Sequence, residues 1–395
     1  MLRQGQRTVL SDDSTRWACA LAGKVKSLHI FSPASQRVNH ISLQSMTNTP
    51  SAEPFAAARF IKEIGRGKDG ARSLTRGDAH DLYAAMLDGR VSDLELGGIL
   101  LAMRIKGESV EEIAGFLDAA EASFTQIALP GWSGAARPYA PVVIPSYNGA
   151  RHMANLTPLL ALLLAREGVP VLMHGVLTDP GRVASAEIFQ ALGQPLCRDI
   201  SQAQACFEQA LPAFMPIEAL APKMARLLAM RRILGVRNST HTLVKIMQPF
   251  AVPALRLSSY THPEYLTMLT SYFMTTAAAQ RGDVFLMRGT EGETVANARK
   301  AQKIDWFHAA TQTTLVEKQE IANDVPALPE QRDAFSTASW IQRALLQPEL
   351  IPKPIAAQVE QCLMACRSLY IQHDLAAFGS KEKVPDATGS ISQGN

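Results

Sequence analysis

The sequence has few cysteines and no long hydrophobic run. Its five cysteines are scattered between Cys19 and Cys366, an odd set that suits a reducing cytosol better than a disulfide framework. The longest apolar run, residues 159–165, is far shorter than the roughly 20 residues that cross a bilayer. The N-terminus also lacks the layout of a signal peptide. We therefore expect a cytoplasmic protein with no membrane partner.

Neither sign of charge dominates the composition. The 395 residues include 39 Lys or Arg and 36 Asp or Glu, and 47% of the chain is hydrophobic. These proportions are those of a globular protein with a buried core and exclude a disordered chain. Few aromatic residues accompany the basic segments, so base stacking would contribute little to nucleic-acid binding. A polyanion partner must be inferred from where the cations lie.

Periodicity divides the chain into four parts. Residues 1–55 are polar and aperiodic, which predicts a flexible N-terminal extension. Residues 56–128 repeat apolar positions at helical spacing and predict an all-helical domain. Residues 129–379 alternate strand-like and helix-like runs, which predicts a larger α/β domain with a central, mostly parallel sheet flanked by helices. Residues 380–395 are predicted to be a disordered tail. The predicted strands are residues 142–145, 169–174, 213–216, 254–258 and 283–287.

Five segments contain recognisable motifs. Residues 82–112 contain Tyr-Ala-Ala-Met-Leu-Asp-Gly and then Leu-Glu-Leu-Gly-Gly-Ile-Leu-Leu-Ala-Met-Arg-Ile-Lys-Gly-Glu. Residues 171–175 end in Met-His-Gly. Residues 144–157 read Ile-Pro-Ser-Tyr-Asn-Gly-Ala-Arg-His-Met-Ala-Asn-Leu-Thr. Residues 230–237 read Met-Arg-Arg-Ile-Leu-Gly-Val-Arg, and residues 287–293 read Met-Arg-Gly-Thr-Glu-Gly-Glu. In this order the segments resemble the anthranilate phosphoribosyltransferase family over about residue 60 to the late 370s.

The resemblance implies a two-domain fold, a glycine-rich diphosphate loop at residues 144–157 and a magnesium-holding Asp-Glu pair near residue 293. The sequence departs from that pattern at both places. Near residue 293 only Glu291 and Glu293 remain, and Gly292 separates them. Pro145, Ser146, Tyr147 and Asn148 replace most of the loop glycines, and the loop contains no carboxylate. Because diphosphate chemistry needs its charge neutralised, we do not expect efficient transfer. We predict no metal site, and Mg²⁺ only if transferase activity is retained.

The altered pattern more closely resembles a bacterial subfamily that keeps this fold and binds nucleic acid. The loop string Tyr-Asn-Gly-Ala-Arg and residues 62–68, Lys-Glu-Ile-Gly-Arg-Gly-Lys, are characteristic of it. The resemblance implies a homodimer that dimerises through the helical domain and binds DNA or RNA.

Two stretches of the chain contain no Asp or Glu. Residues 122–166 include three arginines, and residues 219–263 include seven Lys or Arg. We predict that they face one cleft and focus positive potential there. These basic residues could instead have structural roles. They could lie on solvated faces or form ion pairs with other segments, and those that end a helix could cap its carbonyls. The predicted nucleic-acid-binding residues are Lys62, Arg66, Lys68, Arg72, Arg104, Lys106, Arg151, Arg231 and Arg232.

A second group is predicted to contact phosphate in the loop and at the following strand end. Structural alternatives remain open: a hydrogen-bonded core position for His174 and helix capping for Asn155 and Thr157. We identify no catalytic nucleophile. The predicted phosphate-binding residues are Ser146, Asn148, Gly149, Arg151, His152, Asn155, Thr157, His174 and Gly175.

The leading hypothesis is a protein that binds nucleic-acid phosphates without sequence specificity. The alternative is a glycosyltransferase that moves phosphoribosyl from phosphoribosyl diphosphate to anthranilate or another aromatic acceptor. A nucleotide-sensing module that keeps only a phosphate pocket is a third possibility.

Overall fold

The computed structural model describes residues 53–130 and 138–381. Almost all of the predicted N-terminal extension and C-terminal tail therefore lie outside the described residues. The tail prediction began at residue 380, whereas the last helix continues to Lys381. None of the helices in the described ranges combines the length and hydropathy needed to cross a membrane.

The helical segment consists of short amphipathic helices with polar caps. Ser92 and Ser109 each cap a helix and form a capping box with Glu95 and Glu112, respectively, which satisfies the first free N–H groups of these helices. Gly89 ends another helix in the left-handed conformation, at φ 72°. The helices are α1 (Ala58–Ile64), α2 (Gly67–Gly70), α3 (Arg76–Asp88), α4 (Asp93–Lys106) and α5 (Val110–Ala122).

A seven-stranded sheet follows within the described ranges. The order β3-β2-β1-β4-β5-β6-β7 contains five parallel strands, and β6 and β7 pair antiparallel at one edge. The predicted mostly parallel sheet is confirmed. The strands are β1 (Val142–Ser146), β2 (Val171–Gly175), β3 (Ala213–Pro216), β4 (Leu255–Tyr260), β5 (Val284–Arg288), β6 (Ile304–His308) and β7 (Thr311–Val316).

Helices connect the parallel strands and close the chain. They are α6 (Thr157–Arg166), α7 (Ser185–Ala191), α8 (Ile200–Glu208), α9 (Ile217–Leu220), α10 (Pro222–Ala229), α11 (Arg231–Leu234), α12 (Thr240–Leu243), α13 (Pro263–Thr275), α14 (Ala334–Leu346) and α15 (Lys353–Lys381).

The five parallel strands are largely buried on both faces, as a parallel sheet requires. Alternate residues of β1 enter different cores: Val143 packs with the N-terminal helices, whereas Val142 and Ile144 pack with α6 and α15. This alternation follows the two-residue period of a strand. The first core joins the helical segment to residues on one face of the sheet, such as Val143, Leu172 and Leu286.

Close packing of α3 on α5 depends on one glycine. A Cβ added at Gly115 would collide with the carbonyl oxygen of Arg76 and lie 2.9 Å from the Cβ of Ala79. Gly77, on α3 itself, has open space around it. The two glycines therefore differ in packing.

Gly115→Ala should lower the free energy of unfolding by about 3 kcal/mol through overpacking. Gly77→Ala should raise it by up to about 1 kcal/mol, because alanine favours helix. Urea unfolding followed by circular dichroism measures both. Equal effects would contradict the packing described for α3 and α5.

Candidate functional site

The site lies where the direction of chain winding reverses in the sheet. From β1 the chain continues to β2 on one side, whereas β4 pairs with the other side of β1. Loops that leave the carboxyl ends of two such strands diverge and open a crevice, the usual ligand position in an α/β sheet. Here the loops are residues 147–153 after β1 and residues 261–262 after β4.

The loop after β1 presents backbone N–H groups, but carboxylates of the same chain accept them. Glu293 Oε1 accepts from the backbone N–H of Asn148 at 2.8 Å and of Gly149 at 2.7 Å. Its side chain is buried. Charge-assisted bonds of this kind are roughly twice as strong as neutral ones. The N–H groups at the start of the loop are therefore satisfied internally.

Glu291 holds the second half of the loop in the same way. Its carboxylate accepts from the backbone N–H groups of Arg151, His152 and Met153 at 2.8 to 2.9 Å. Glu291 itself adopts φ 54°, which non-glycine residues rarely do. The loop is thus an anion-binding concavity filled by two glutamates.

Neighbouring side chains fix this arrangement. Arg182 donates to the carbonyl oxygens of Gly149 at 3.4 Å and Glu291 at 3.2 Å. The Asn148 side chain donates to the carbonyl of Gly292 at 2.7 Å. The expectation that the loop region lacks acids was incomplete, because its carboxylates come from a segment about 140 residues away.

The donor set does not fit a magnesium ion. Glu291 uses both carboxylate oxygens on loop N–H groups, and Glu293 uses Oε1, so that only the buried Glu293 Oε2 has no hydrogen-bond partner. The Lys245 ammonium lies near Glu293. Mg²⁺ needs free carboxylate oxygens in near-octahedral geometry, and a neighbouring cation opposes its binding. Among the described residues, no group of three His, Cys, Asp or Glu side chains is arranged to hold a metal.

An inner pocket of about 100 Å³ lies beside the loop. The Arg104 guanidinium donates to the Tyr265 hydroxyl at 3.0 Å, and that of Arg237 donates to the Asn148 side-chain oxygen at 2.7 Å. The Lys245 ammonium donates to the Gly292 carbonyl at 3.3 Å. The residues that line this pocket include no Asp or Glu. Its cations are therefore held by neutral acceptors.

Burial and mutual repulsion lower the pKa values of Lys245, Arg237 and His241. The pKa of Lys245 falls to about 8, mainly through burial, with a contribution from the Arg237 charge. The pKa of Arg237 is lowered by burial and then by Arg231 and Arg182. The pKa of His241 falls to about 3 for similar reasons, so its ring is neutral at pH 7. An anion would relieve this repulsion.

An outer groove of about 400 Å³ adjoins the inner pocket and shares Tyr147 and His241 with it. Arg231 and Arg232 line it and are exposed. Asp179 and Glu218 line it as well. No carboxylate in the described ranges lies within 4.0 Å of either arginine side chain. Both arginines are free to contact a ligand.

Several residues that were predicted to bind phosphate are buried and bonded to other residues of the chain. The Ser146 hydroxyl donates to that of Ser185, and Asn155 accepts from the backbone and hydroxyl of Thr157, both groups being buried. The core position considered for His174 is the one observed: its Nδ1 bonds the Tyr147 hydroxyl at 2.6 Å, and burial lowers its pKa to about 3.

Gly175 is buried and packs directly against β1. A Cβ there would collide with the Ser146 carbonyl oxygen. Asn148 and Gly149 use their N–H groups on Glu293, and Arg151 and His152 bond each other at 3.0 to 3.1 Å. Of the phosphate-binding predictions, only the side chains of Arg151 and His152 are exposed.

Some residues that were predicted to bind nucleic acid form ion pairs within the chain instead. Lys106 forms a 2.6 Å ion pair with the buried Glu112 and donates to the Gly107 carbonyl, so it stabilises the α4–α5 junction. Arg66 and Arg72 both pair with Glu63. Lys62 is exposed, and the side chain of Lys68 lies outside the described residues. No described contact joins this segment to the inner pocket or the outer groove.

Only some of the basic residues in the acid-free stretch 219–263 lie at the site. Lys223 pairs with Asp88, Arg226 donates to the carbonyls that end α3, and Arg256 is buried. The residue-level predictions omitted four side chains of the site: the cations Arg182, Arg237 and Lys245 and the neutral His241. All but Arg182 lie in this acid-free stretch.

Comparison with known proteins identifies the family. A family model for the glycosyl transferase family, helical bundle domain, matches residues 58–123. The uncharacterized protein YbiB of Escherichia coli K12 is 46% identical over 78% of this chain and 93% of its own length. The chain belongs to the anthranilate phosphoribosyltransferase-like family. The expected family is confirmed.

Similarity to the transferases themselves is lower. Anthranilate phosphoribosyltransferase of Methylobacterium radiotolerans is 31% identical, but the match covers 47% of this chain and 50% of that enzyme. The structure of the Thermus thermophilus enzyme, TrpD, aligns with a TM-score of 0.59 at 20% identity, covering 80% of this chain and 92% of that one. The Saccharomyces cerevisiae enzyme in complex with phosphoribosyl diphosphate and Mg aligns at 0.52 and 14% identity, over 82% and 98% of the chains. These structures establish the shared fold.

The two loop-holding glutamates should differ in their contribution to stability. Glu293→Ala leaves buried N–H groups without an acceptor and should lower the free energy of unfolding by about 3 kcal/mol. Glu291→Ala should cost about 1 kcal/mol, because water can replace a half-buried carboxylate. Chemical denaturation of the two variants gives the comparison. A Glu293→Ala protein as stable as wild type would show that these bonds do not hold the loop.

Proposed function

We propose that this protein binds DNA or RNA through the phosphate backbone, without sequence specificity, in the outer groove and along the adjacent loop. Phosphate contacts would be made by Arg231 and Arg232 in the outer groove and by Arg151 on the loop, with Arg104 in the adjoining inner pocket. Contacts to phosphate position a strand but do not read bases. Binding of this kind is strongly salt-dependent.

The observation that carries this proposal is the set of cations without a carboxylate partner. Arg104, Arg151, Arg231 and Arg232 form no ion pair within the described part of the chain, whereas Arg66, Arg72 and Lys106 do. Guanidinium groups bind phosphate well because of their planar fork of donors. Nearby cations also focus positive potential at modest net charge.

The rival function is phosphoribosyl transfer to anthranilate or another aromatic acceptor, which the family relationship favours. The yeast relative in its complex holds phosphoribosyl diphosphate and Mg. In this chain, by contrast, Glu291 and Glu293 take the loop N–H groups that a diphosphate would need. Both carboxylates would have to leave before a diphosphate could bind there. This cost supports nucleic-acid binding over transfer.

Charge reversal tests the proposal. Arg231→Glu/Arg232→Glu should weaken binding of three unrelated single-stranded 20-mers at least tenfold and by the same factor. The slope of log Kd against log salt should fall by about 1.4, since each single-strand contact contributes about 0.7. Fluorescence anisotropy at several salt concentrations gives both values.

Arg367→Glu is the matched control, because it lies far from the site. The backbone carbonyl of the adjacent Cys366 accepts a hydrogen bond from the N–H of Ala140, at the opposite, amino end of β1. This variant should bind like wild type. Wild-type protein that fails to bind at low salt would refute the proposal. Formation of phosphoribosyl anthranilate would support the rival.

We also propose that the protein is a homodimer that pairs through the helical segment. Helix α4 exposes Leu94, Leu101 and Ile105, which are 88%, 40% and 64% accessible and share one helix face at spacings of seven and four. Gly98 lies between them with open space above it. An apolar face of this kind fits a second copy of the same helix.

Leu94→Glu/Ile105→Glu should convert the dimer to a monomer, because charged side chains are disfavoured in an apolar interface core. Sedimentation velocity measures the mass. Leu375→Glu, an equally exposed leucine on α15, should leave the mass unchanged. A wild-type protein with the mass of one chain would reject the dimer.

A further inference from the structure

The inner pocket has more positive charge than a single backbone phosphate requires. Arg104, Arg237 and Lys245 converge on it, and a phosphodiester carries one negative charge. A phosphate monoester has a second pKa near 6 and carries close to two at pH 7. The charge of the pocket therefore matches a monoester better than a diester.

The remaining lining suits the sugar and base beside such a phosphate. Tyr260 and Tyr265 are half-buried at the wall, and buried Leu269 supplies apolar surface. Aromatic side chains stack on bases with little sequence preference. A volume of about 100 Å³ is several times the roughly 10–15 Å³ that one water needs on the same measure. The space admits a phosphate with part of its nucleotide.

The shape of the pocket favours the end of a nucleic-acid strand over its middle. The buried residues Asn148, Asn238 and Ser259 form its floor, so a strand would have to turn back to continue. The outer groove, which shares Tyr147 and His241 with the pocket, offers a path for the rest of the strand. A strand lying in the groove could place its terminal nucleotide in the pocket.

We propose that the inner pocket binds a phosphate monoester, and that its natural source is the phosphorylated end of a nucleic-acid strand. The inference rests on the proposed nucleic-acid binding and adds an end preference to it. A free mononucleotide presents the same chemical group. The experiment separates these two sources.

The ligands are single-stranded 12-mers of one sequence with a 5′-phosphate, a 3′-phosphate or hydroxyls at both ends. At pH 7.5 and low salt, anisotropy should show at least one phosphorylated form binding about tenfold tighter than the hydroxyl form. Lys245→Met should bring the ratio of affinities close to one. Arg232→Gln should weaken all three ligands equally and keep the ratio.

Tyr265→Phe provides a second variant that removes only the hydroxyl that Arg104 contacts. It should reduce the ratio without the risk of unfolding that a buried substitution carries. Deoxyadenosine monophosphate should compete with the phosphorylated 12-mer only at much higher concentration, because it lacks the groove contacts. If it competes at equal concentration, the pocket serves free nucleotides and the strand-end assignment is wrong.

The preference should also depend on pH. The groups that face Lys245 are Arg237, His241, Glu293 and the Gly292 carbonyl. Glu108 lies near Tyr265, and burial raises its pKa. Because the pKa of Lys245 is lowered to about 8, its charge in the free protein is lost as pH rises through that value. The ratio of the affinities for the phosphorylated and hydroxyl 12-mers should therefore fall between pH 7 and 9.5 in wild type. In Lys245→Met it should not change with pH.

The outcomes distinguish the two proposals. If the hydroxyl and phosphorylated 12-mers bind equally in wild type, the end-binding inference fails while nucleic-acid binding stands. If no 12-mer binds at low salt, both proposals fail. A preference that survives in Lys245→Met and in Tyr265→Phe would place the monoester outside the inner pocket.

Discussion

The hydrogen bonds from the loop after β1 to Glu291 and Glu293 are the constraint on which the site depends. They close an anion-binding concavity with the chain's own carboxylates and fix the loop against the start of the segment after β5. The carbonyls that remain, such as Gly292, can then accept from Lys245. A loop that resembles a diphosphate site has thereby become part of the wall of a cationic pocket.

This rearrangement explains why the fold and the proposed function differ. The sheet, its switch point and the helical segment are those of a phosphoribosyltransferase-like protein. They still place loops together at the carboxyl ends of the parallel strands. The charge available to a ligand comes instead from side chains on α4, α11 and the segment around α12. Fold alone does not set function, because the chemistry lies in the residues at the site.

The sequence predicted the parallel strands well because most are short apolar runs between turn signals, and β4 alternates Leu255 and Leu257 with polar residues. It missed β6 and β7, where strands such as Thr311–Val316 are polar and lie at the sheet edge. Acid-free stretches indicated the basic site but could not separate buried Arg256 from exposed Arg231. The bond between Glu293 and Asn148 spans 145 residues, a distance over which local patterns contain no information.

The most direct test is a crystal structure of the protein with a short 5′-phosphorylated oligonucleotide. Phosphates should lie against Arg231 and Arg232 and in the inner pocket, with Glu291 and Glu293 still bonded to the loop. A phosphate on the backbone N–H groups of Asn148 and Gly149, with both glutamates displaced, would contradict the account and favour an intact diphosphate site.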